Sequence, residues 1–362
     1  MTLAAAAERI WYGPAAGGAL LPSLLAPVGW GCRLGVGIRN RLYDSGALQV
    51  KRAPVPCVSV GNLVVGGTGK TPVTKWVSRA LGHAGLRAAV ISRGYGGEKR
   101  GPEVVVAGDG AARLYGDEPV MLALEQPQVP VVVGRDRWAA GMKAAEDCGA
   151  EVLVADDAFQ HRRLARDLDI VVVDAARLFG NGRVFPRGPL REPVASLARA
   201  DVVFLTRAAA AGESLAERRA LLATLAPAAV FVESDIVPSG WRRHGPGSGE
   251  VSGPPEGEVF AFCGLANPGA FAGTLEEAGC RISGRRAFPD HHRYAERDLE
   301  DLARAVDESG AAAAVTTAKD AVRIASWPEG VPLFILDVEL RLTAGEGRLR
   351  EMIEAVGKGR SL

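Results

Sequence analysis

Short runs of consecutive apolar residues recur along the chain: "PCVSV", "AAVISRG", "EVVVAG", "VPVVVG", "EVLVADD", "DIVVVDA", "DVVFLTR" and "AVFVES". Most are continuously apolar rather than alternating. That pattern predicts strands buried on both faces, as in a parallel sheet covered by helices. Helical stretches lie between several of them. After the first run, Val73, Trp76, Val77, Ala80 and Leu81 recur at helical spacing, with Pro72 in the first turn, where its missing N–H costs little. Gly, Pro and Ser dominate residues 237–258, which read as a linker or a long hairpin. The expected fold class is therefore α/β: a mostly parallel sheet flanked by helices, of the P-loop NTPase type, with a second, smaller α/β domain. The expected boundaries are 1–236 for the first domain, including a membrane-associating N-terminal segment, 237–258 for the connection, and 259–362 for the smaller domain, which would close a cleft.

Composition narrows the class. Hydrophobic residues make up 48% of the 362 and charged residues 23%, a globular balance with room for two cores. A net charge of +1 gives no field that would draw nucleic acid, so no nucleic-acid partner is expected. Cys32, Cys57, Cys148, Cys263 and Cys280 are odd in number and lack C-x-x-C spacing, which argues against a disulfide framework or structural zinc and for packing roles in a reducing compartment. The charge is uneven, however. Within residues 1–56, Arg9, Arg33, Arg39, Arg41, Lys51 and Arg52 stand against Glu8 and Asp44, six cations and two anions, net +4. The stretch Ala19 to Tyr43 is apolar, yet Pro22, Pro27 and Arg33 interrupt it before the ~20 clean apolar residues a membrane span needs. It reads either as a helix packed on the domain or as one lying in a bilayer interface, with Trp30 and leucines among acyl chains and arginines on anionic headgroups.

The chemistry-bearing motifs fall where loops should follow strands. Gly66-Gly67-Thr68-Gly69-Lys70-Thr71 ends as a P-loop does, although Val64 holds the position where the common pattern has its first glycine. Glycines let backbone N–H groups approach phosphate at a helix N-terminus, Lys70 reaches the outer phosphates, and the Thr71 hydroxyl can hold Mg²⁺. Four apolar residues then run into Asp156-Asp157, a Walker-B pattern that an N-cap aspartate would equally produce. Asp117 and Glu118 precede Pro119 at a helix start, either complementing the helix dipole or supplying a general base. Ser92, Arg93 and Tyr95 sit on a flexible turn. Arg187, Arg191 and Glu192 lie in a Gly/Pro-rich loop able to clamp phosphate. Asp290, His291 and His292 stand together in "FPDHHRY", a motif for proton chemistry or metal binding.

In this order the chain resembles the tetraacyldisaccharide 4′-kinase (lipid A 4′-kinase) family. The resemblance rests on "SVGNLVVGGTGKTP", "SRGYGG", "YGDEP", "GRDR", "DDAFQHRRL", "GNGRVFPRGPLREP", "FCGLANPGAF", "FPDHHRY" and "TTAKDAVRI", which span nearly the whole chain. It implies a lipid kinase that uses ATP and Mg²⁺ and moves the γ-phosphate to the 4′-hydroxyl of a tetraacylated glucosamine disaccharide 1-phosphate. The setting it implies is the cytoplasmic face of the bacterial inner membrane, with no obligate protein partner. By motif it assigns Gly66, Gly67, Thr68, Gly69, Lys70 and Thr71 to ATP. Thr71, Gln160, Glu192, Asp156 and Asp157 go to the metal, and Tyr95, Arg137 and Arg191 to substrate or nucleotide. Catalysis falls to Lys70 and to Asp117 as base, paired with one of the two histidines of "DHH", His291 ahead of His292. On the expected boundaries that pair would be completed across two domains. Two positions depart from the family's usual residues: Ala158 stands where Gly follows the paired aspartates, and Ala318 where Glu precedes the lysine of "TTAKD".

Two other readings share the loop. A P-loop ATPase switch or chaperone-like protein would turn over ATP without a lipid and act on a protein partner. A P-loop kinase for a soluble acceptor would have no use for the apolar, basic N-terminus.

Overall fold

A computed structural model describes residues 3–13, 25–108, 110–245 and 249–359. The part of the N-terminal apolar stretch from Ala19 to Leu24 lies outside the described residues. Two compact units are present. The first comprises Met1–Arg93, Asp136–Asp235 and Leu342–Leu362; the second comprises Gly94–Arg135 and Ile236–Arg341.

The first unit is built on β1 (Cys57–Gly61), β2 (Ala88–Ser92), β5 (Val152–Asp156), β6 (Leu168–Asp174), β7 (Val202–Thr206) and the start of β8 (Val230–Arg243). Their order is β8-β7-β6-β1-β5-β2, and every pairing is parallel. The continuous apolar runs are explained by this: β1, β2, β5, β6 and β7 are buried at every residue. β5 and β6 flank β1 on either side, so the chain reverses its direction of winding there. The carboxyl ends at such a reversal are where open α/β sheets bind ligands. Helix α3 (Lys70–His83) follows β1 and buries Val73, Val77, Ala80 and Leu81, as its spacing predicts. Trp76 stays half-buried beneath the guanidinium of Arg350, 5.0 Å from the ring centre. Helix α1 (Leu3–Tyr12), α2 (Ala26–Asp44), α5 (Arg137–Cys148) and α6 (Leu215–Leu225) belong to this unit, as does α10 (Glu346–Gly357). In α10, Leu349, Met352, Ile353 and Val356 are buried. No helix among the described residues is long and apolar enough to cross a membrane.

The second unit carries the parallel set β11 (Arg281–Ala287), β10 (Glu258–Cys263), β12 (Ala313–Thr317) and β13 (Leu333–Ala344). Around them lie α4 (Asp117–Glu125), α7 (Pro268–Glu277), α8 (Glu296–Glu308) and the short α9 (Ala318–Ala321). Phe262, Leu299, Leu302, Val306 and Ala314 form part of its core. The connection at 237–258 is a hairpin: the end of β8 pairs antiparallel with β9 (Gly249–Val251), Trp241 opposite Val251.

This division departs from the expected one in two places. "EVVVAG" and "VPVVVG" do not join the first unit's parallel sheet. They supply β3 (Glu103–Val104) and β4 (Val131–Val133), which pair antiparallel with each other in the second unit. The turn after β2 also folds with that unit, because glycines let two backbones touch. A Cβ on Gly94 would lie 2.8 Å from the Tyr115 carbonyl oxygen, and one on Gly116 would lie 2.5 Å from that of Tyr95. At the other end, residues 342–362 return to the first unit. Gly345, at φ +80°, passes so close to Phe231 that a Cβ would meet its carbonyl oxygen at 2.4 Å.

Candidate functional site

The glycine loop begins as a piece of sheet. Val64 bridges antiparallel to Leu190, Val65 N–H donates to the Pro189 carbonyl at 2.7 Å, and Arg191 N–H donates to that of Leu63 at 2.7 Å. Val64 is buried in this bridge, which is why a branched residue replaces the first glycine of the common pattern. The same bridge brings Arg191 and Glu192 beside the loop. Gly66 at φ +115° and Gly69 at φ +84° then turn the chain into α3. The N-terminus of α3 has no side-chain cap, leaving the amides of its first turn for an anion. The loop is held from behind: Asn62 Nδ2 donates to Thr68 Oγ1 at 3.0 Å, and the Thr206 hydroxyl donates to the Thr68 carbonyl at 2.7 Å.

Both Walker-B aspartates lie here, each with named partners. Asp156 ends β5 and accepts from Thr74 Oγ1 at 3.0 Å and Ser92 Oγ at 3.5 Å. Asp157 stands at φ +47°, a strained value for a residue with a Cβ. It faces Lys70 Nζ at 3.5 Å and accepts from Arg191 Nη1 at 2.8 and 2.9 Å. Burial would raise the Asp157 carboxyl, but Lys70, Arg191 and Arg137 outweigh it and hold it at about 2. Arg137, fully buried at the start of α5, donates to the Asp156 carbonyl at 3.1 Å. Burial lowers its guanidinium to about 10, against the charges of Asp156 and Asp157. Ala158 causes no conflict. It is buried, and the positive φ falls on Asp157 instead.

Of the residues offered for Mg²⁺, Gln160 and Glu192 have oxygens to give. Gln160 Nε2 donates to the Asn62 carbonyl at 2.7 Å, which leaves its Oε1 buried and without a hydrogen-bond partner among the described residues. Glu192 is fully buried. Its Oε2 receives Arg199 Nη2 at 2.6 Å and Asn40 Nδ2 at 3.3 Å, while its Oε1 has no such partner. Orphaned hard oxygens near a phosphate loop suit Mg²⁺, which takes few protein ligands and completes its shell with phosphate and water. Among the described residues no cluster of three acidic, histidine or cysteine side chains competes for the ion. Asp156 and Asp157 are already engaged by Thr74, Ser92, Lys70 and Arg191, so they fit a supporting place better than direct ligation.

The second unit holds the other predicted pair. His291 Nδ1 lies 2.9 and 3.0 Å from the two carboxylate oxygens of Asp117. Both residues belong to this one unit, so the pair is preassembled rather than completed across domains. Glu118 N–H donates to Asp117 Oδ1 at 3.0 Å, and Arg323 Nη2 makes an ion pair with Oδ2 at 3.0 Å. Burial would raise the Asp117 carboxyl, but the His291 hydrogen bond and the charges of Lys319, His291 and Arg323 prevail and hold it at about 2. His291 is left-handed at φ +60° and its ring stacks at a tilt on Tyr95, 5.2 Å away. Its neighbour His292 faces Asp298 at 3.0 Å instead.

Sequence reasoning missed the frame behind this pair. Buried Asp320 accepts from Gly264 N–H and from the Tyr294 and Thr317 hydroxyls. Arg323 joins Asp320 to Asp117, and Lys319 joins Glu118 at 2.9 Å to Asp290 at 3.1 Å. The i, i+3 spacing of Asp320 and Arg323 in "AKDAVRI" was the available signal. In the first unit Asn40 and Thr74 were also missed. Thr74 sits one helical turn after Lys70, on the same face. Of the cysteines, Cys57, Cys263 and Cys280 are buried, Cys148 is half-buried and Cys32 is exposed, so packing does not account for all five.

Residues 21–358 match the family described as tetraacyldisaccharide-1-P 4′-kinase. A tetraacyldisaccharide 4′-kinase of Anaeromyxobacter sp. (strain Fw109-5) is 45% identical, over 96% of this chain and 95% of its own. One from Syntrophus aciditrophicus is 39% identical over 86% of each chain. The crystal structure of LpxK from Aquifex aeolicus in complex with ATP is similar with a TM-score of 0.73 and 30% identity, covering 93% of this chain and 99% of that one. The matched span takes in the glycine loop of the first unit and the Asp117–His291 pair of the second alike, and the chain belongs to the tetraacyldisaccharide-1-P 4′-kinase family.

Proposed function

We propose that the protein transfers the γ-phosphate of ATP to the 4′-hydroxyl of a tetraacylated glucosamine disaccharide 1-phosphate at an inner-membrane surface. The Asp117–His291 pair carries this reading. A nucleotide-driven switch needs the glycine loop, but it has no use for a buried carboxylate holding a histidine at 2.9 Å. In phosphoryl transfer the protein mainly positions the groups and neutralises charge. Amides of Gly66–Gly69 and of the first turn of α3 bind the phosphates, and Lys70 reaches the outer ones. Thr71, Gln160 and Glu192 would hold Mg²⁺, which would neutralise charge growing on the phosphate oxygens. Arg137 supports the strand end that carries the aspartates. Arg191 and Tyr95 serve the substrate.

In this reading His291 takes the proton and Asp117 orients it, which reverses the roles expected for Asp117 as base. Asp117 is 6% exposed, and its two oxygens are taken up by His291, Glu118 N–H and Arg323. A carboxylate so saturated is a weak base and has little access to a sugar hydroxyl. His291 is 28% exposed. With Nδ1–H donated to Asp117, its Nε2 keeps a lone pair for the hydroxyl proton.

Helix α2 supports the membrane setting. Val28, Trp30, Leu34, Ile38 and Leu42 are 40–66% exposed on it, with Arg33 and Arg41 exposed among them. Its polar side is instead turned to the protein: Arg39 donates to the Gln160 carbonyl, and Arg162 reaches the Asn40 carbonyl at 3.0 Å and Asp44 at 2.6 Å. An apolar outer face with basic residues suits an anionic bilayer interface, where a greasy acceptor resides. Labelled ATP offered with the acylated disaccharide 1-phosphate, the same lipid lacking its 4′-hydroxyl, and soluble sugars tests the reading. Label transfer to the first alone is expected. Lipid-independent ATP hydrolysis with no labelled lipid would overturn it in favour of the switch.

A further inference from the structure

Helix α2 does more than present apolar residues outward. Its inner side touches both residues that carry orphaned oxygens. Asn40 Nδ2 donates to Glu192 Oε2 at 3.3 Å, and Arg39 donates to the backbone carbonyl of Gln160. Asn40 Oδ1 is itself buried without a hydrogen-bond partner among the described residues, like Gln160 Oε1 and Glu192 Oε1. Glu192 has few other means of orientation. Arg199 Nη2 sits on the same oxygen that Asn40 contacts, at 2.6 Å, and stacks over Phe159 at 4.5 Å. Two donors on Oε2 fix the carboxylate plane and leave Oε1 as the outward lone-pair donor. Asn40 in turn is placed by Arg162, which ties its carbonyl and Asp44 to the loop after β5. Gly29, earlier in the same helix, is buried against Arg187, where a Cβ would come to 3.0 Å of the side chain. Both ends of α2 are therefore moored on loops that bear the predicted cation residues.

We propose that Asn40 is a positioning residue for Glu192, and that seating of α2 on an anionic bilayer surface tightens Mg²⁺-dependent nucleotide binding even when no acceptor lipid is present. The coupling rests on the membrane reading of α2; the Asn40–Glu192 link does not. A bilayer that holds the outer face of α2 restricts the rolling and sliding of the helix. Asn40 then keeps its hydrogen bond to Glu192, and less ordering remains to be done when cation and nucleotide bind. Away from the bilayer the apolar face meets water, and only the inner side of the helix is held.

The test is titration of Mg²⁺ against a fluorescent ATP analogue, with and without phosphatidylglycerol vesicles that contain no acceptor. Asn40→Ala should raise the half-saturating Mg²⁺ concentration roughly tenfold, as loss of a group orienting a metal ligand does, while binding in EDTA stays unchanged. Arg162→Ala, which leaves Glu192 untouched, should move it in the same direction by less. Vesicles should lower the midpoint for the wild-type protein and not for Asn40→Ala, which should still sediment with them. Melting curves check that each variant is folded. An unchanged Mg²⁺ midpoint in Asn40→Ala overturns the positioning role. A wild-type protein that sediments with vesicles without any change of midpoint overturns the coupling and leaves the membrane reading standing. If the wild-type protein does not sediment, the membrane reading falls and the coupling with it, while the vesicle-free titration still decides the role of Asn40.

Discussion

The two halves of the candidate chemistry differ in how their residues announce themselves. Lys70 follows from its motif, and the structure gives it an anionic neighbour, Asp157 at 3.5 Å, in place of a phosphate. Lys70→Ala should lower kcat by about 10²–10³, the usual effect of removing one charge-stabilising donor, with melting little changed. Near-normal turnover would remove the loop from the mechanism. For the pair, Asp117→Ala and His291→Ala should each cost roughly 10²–10⁴ in kcat. The double variant should cost far less than their product, because the two act as one device. Asp117 is held at about 2, so its own titration does not set any acid limb of the pH profile well above that value. Asp117 was legible because "GDEP" puts it at a helix start; its saturation was not, since Arg323 and His291 approach from far along the chain.

Elements were legible at β1, β5 and β6 and misplaced at two runs of similar length. "EVVVAG" and "VPVVVG" look like the others in sequence, yet only two and three of their residues enter strands. Nothing in their composition distinguishes an antiparallel pair of edge fragments from a central strand. Helix α2 was ambiguous for a similar reason: its pattern allows either face to be the packed one. If its outer face meets lipid, Leu34→Glu with Ile38→Glu should abolish sedimentation with anionic vesicles and leave the melting temperature within a degree or two, since both side chains are exposed. High salt should weaken binding of the unaltered protein, at about 1 kcal/mol per basic residue near the surface. Unchanged sedimentation would return α2 to a plain surface helix. The frame under His291 makes a different demand. Arg323, 6% exposed, balances Asp117 and Asp320 at once. Arg323→Ala should destabilise the protein by about 3–5 kcal/mol by urea unfolding, because it strands buried carboxylates. The Asp117 contribution is present above the unfolded carboxyl range, near pH 4, and is lost as pH falls towards 2; Asp117→Asn should flatten that part of the acid unfolding curve.

For the whole molecule, the sequence conveyed that two α/β units exist but not that they are interleaved. The chain leaves the first unit after Arg93, returns at Asp136, leaves again after Asp235 and returns at Leu342. A contiguous reading from the Gly/Pro-rich stretch could not reveal this, because the returning segment looks like an ordinary C-terminal helix. The fragment 1–236 should accordingly fail to fold: it lacks α10, and it carries residues 94–135 without the rest of their unit. A cooperative melt of that fragment would contradict the division. The return of α10 also has a bearing on how the protein is made. In α3, Leu81 packs close to Gly357, which is near enough to Leu86 that a Cβ would meet its side chain. Ribosomes add about 5–20 residues per second. Some 260 residues separate the end of α3 from the start of α10, so on the order of 10–50 s pass between their synthesis. During that interval the nucleotide loop is attached to a helix whose neighbour does not yet exist. The phosphate cradle is thus among the first parts synthesised and among the last to be completed, and a chain truncated anywhere before residue 346 carries the motif without the helix that packs beside α3.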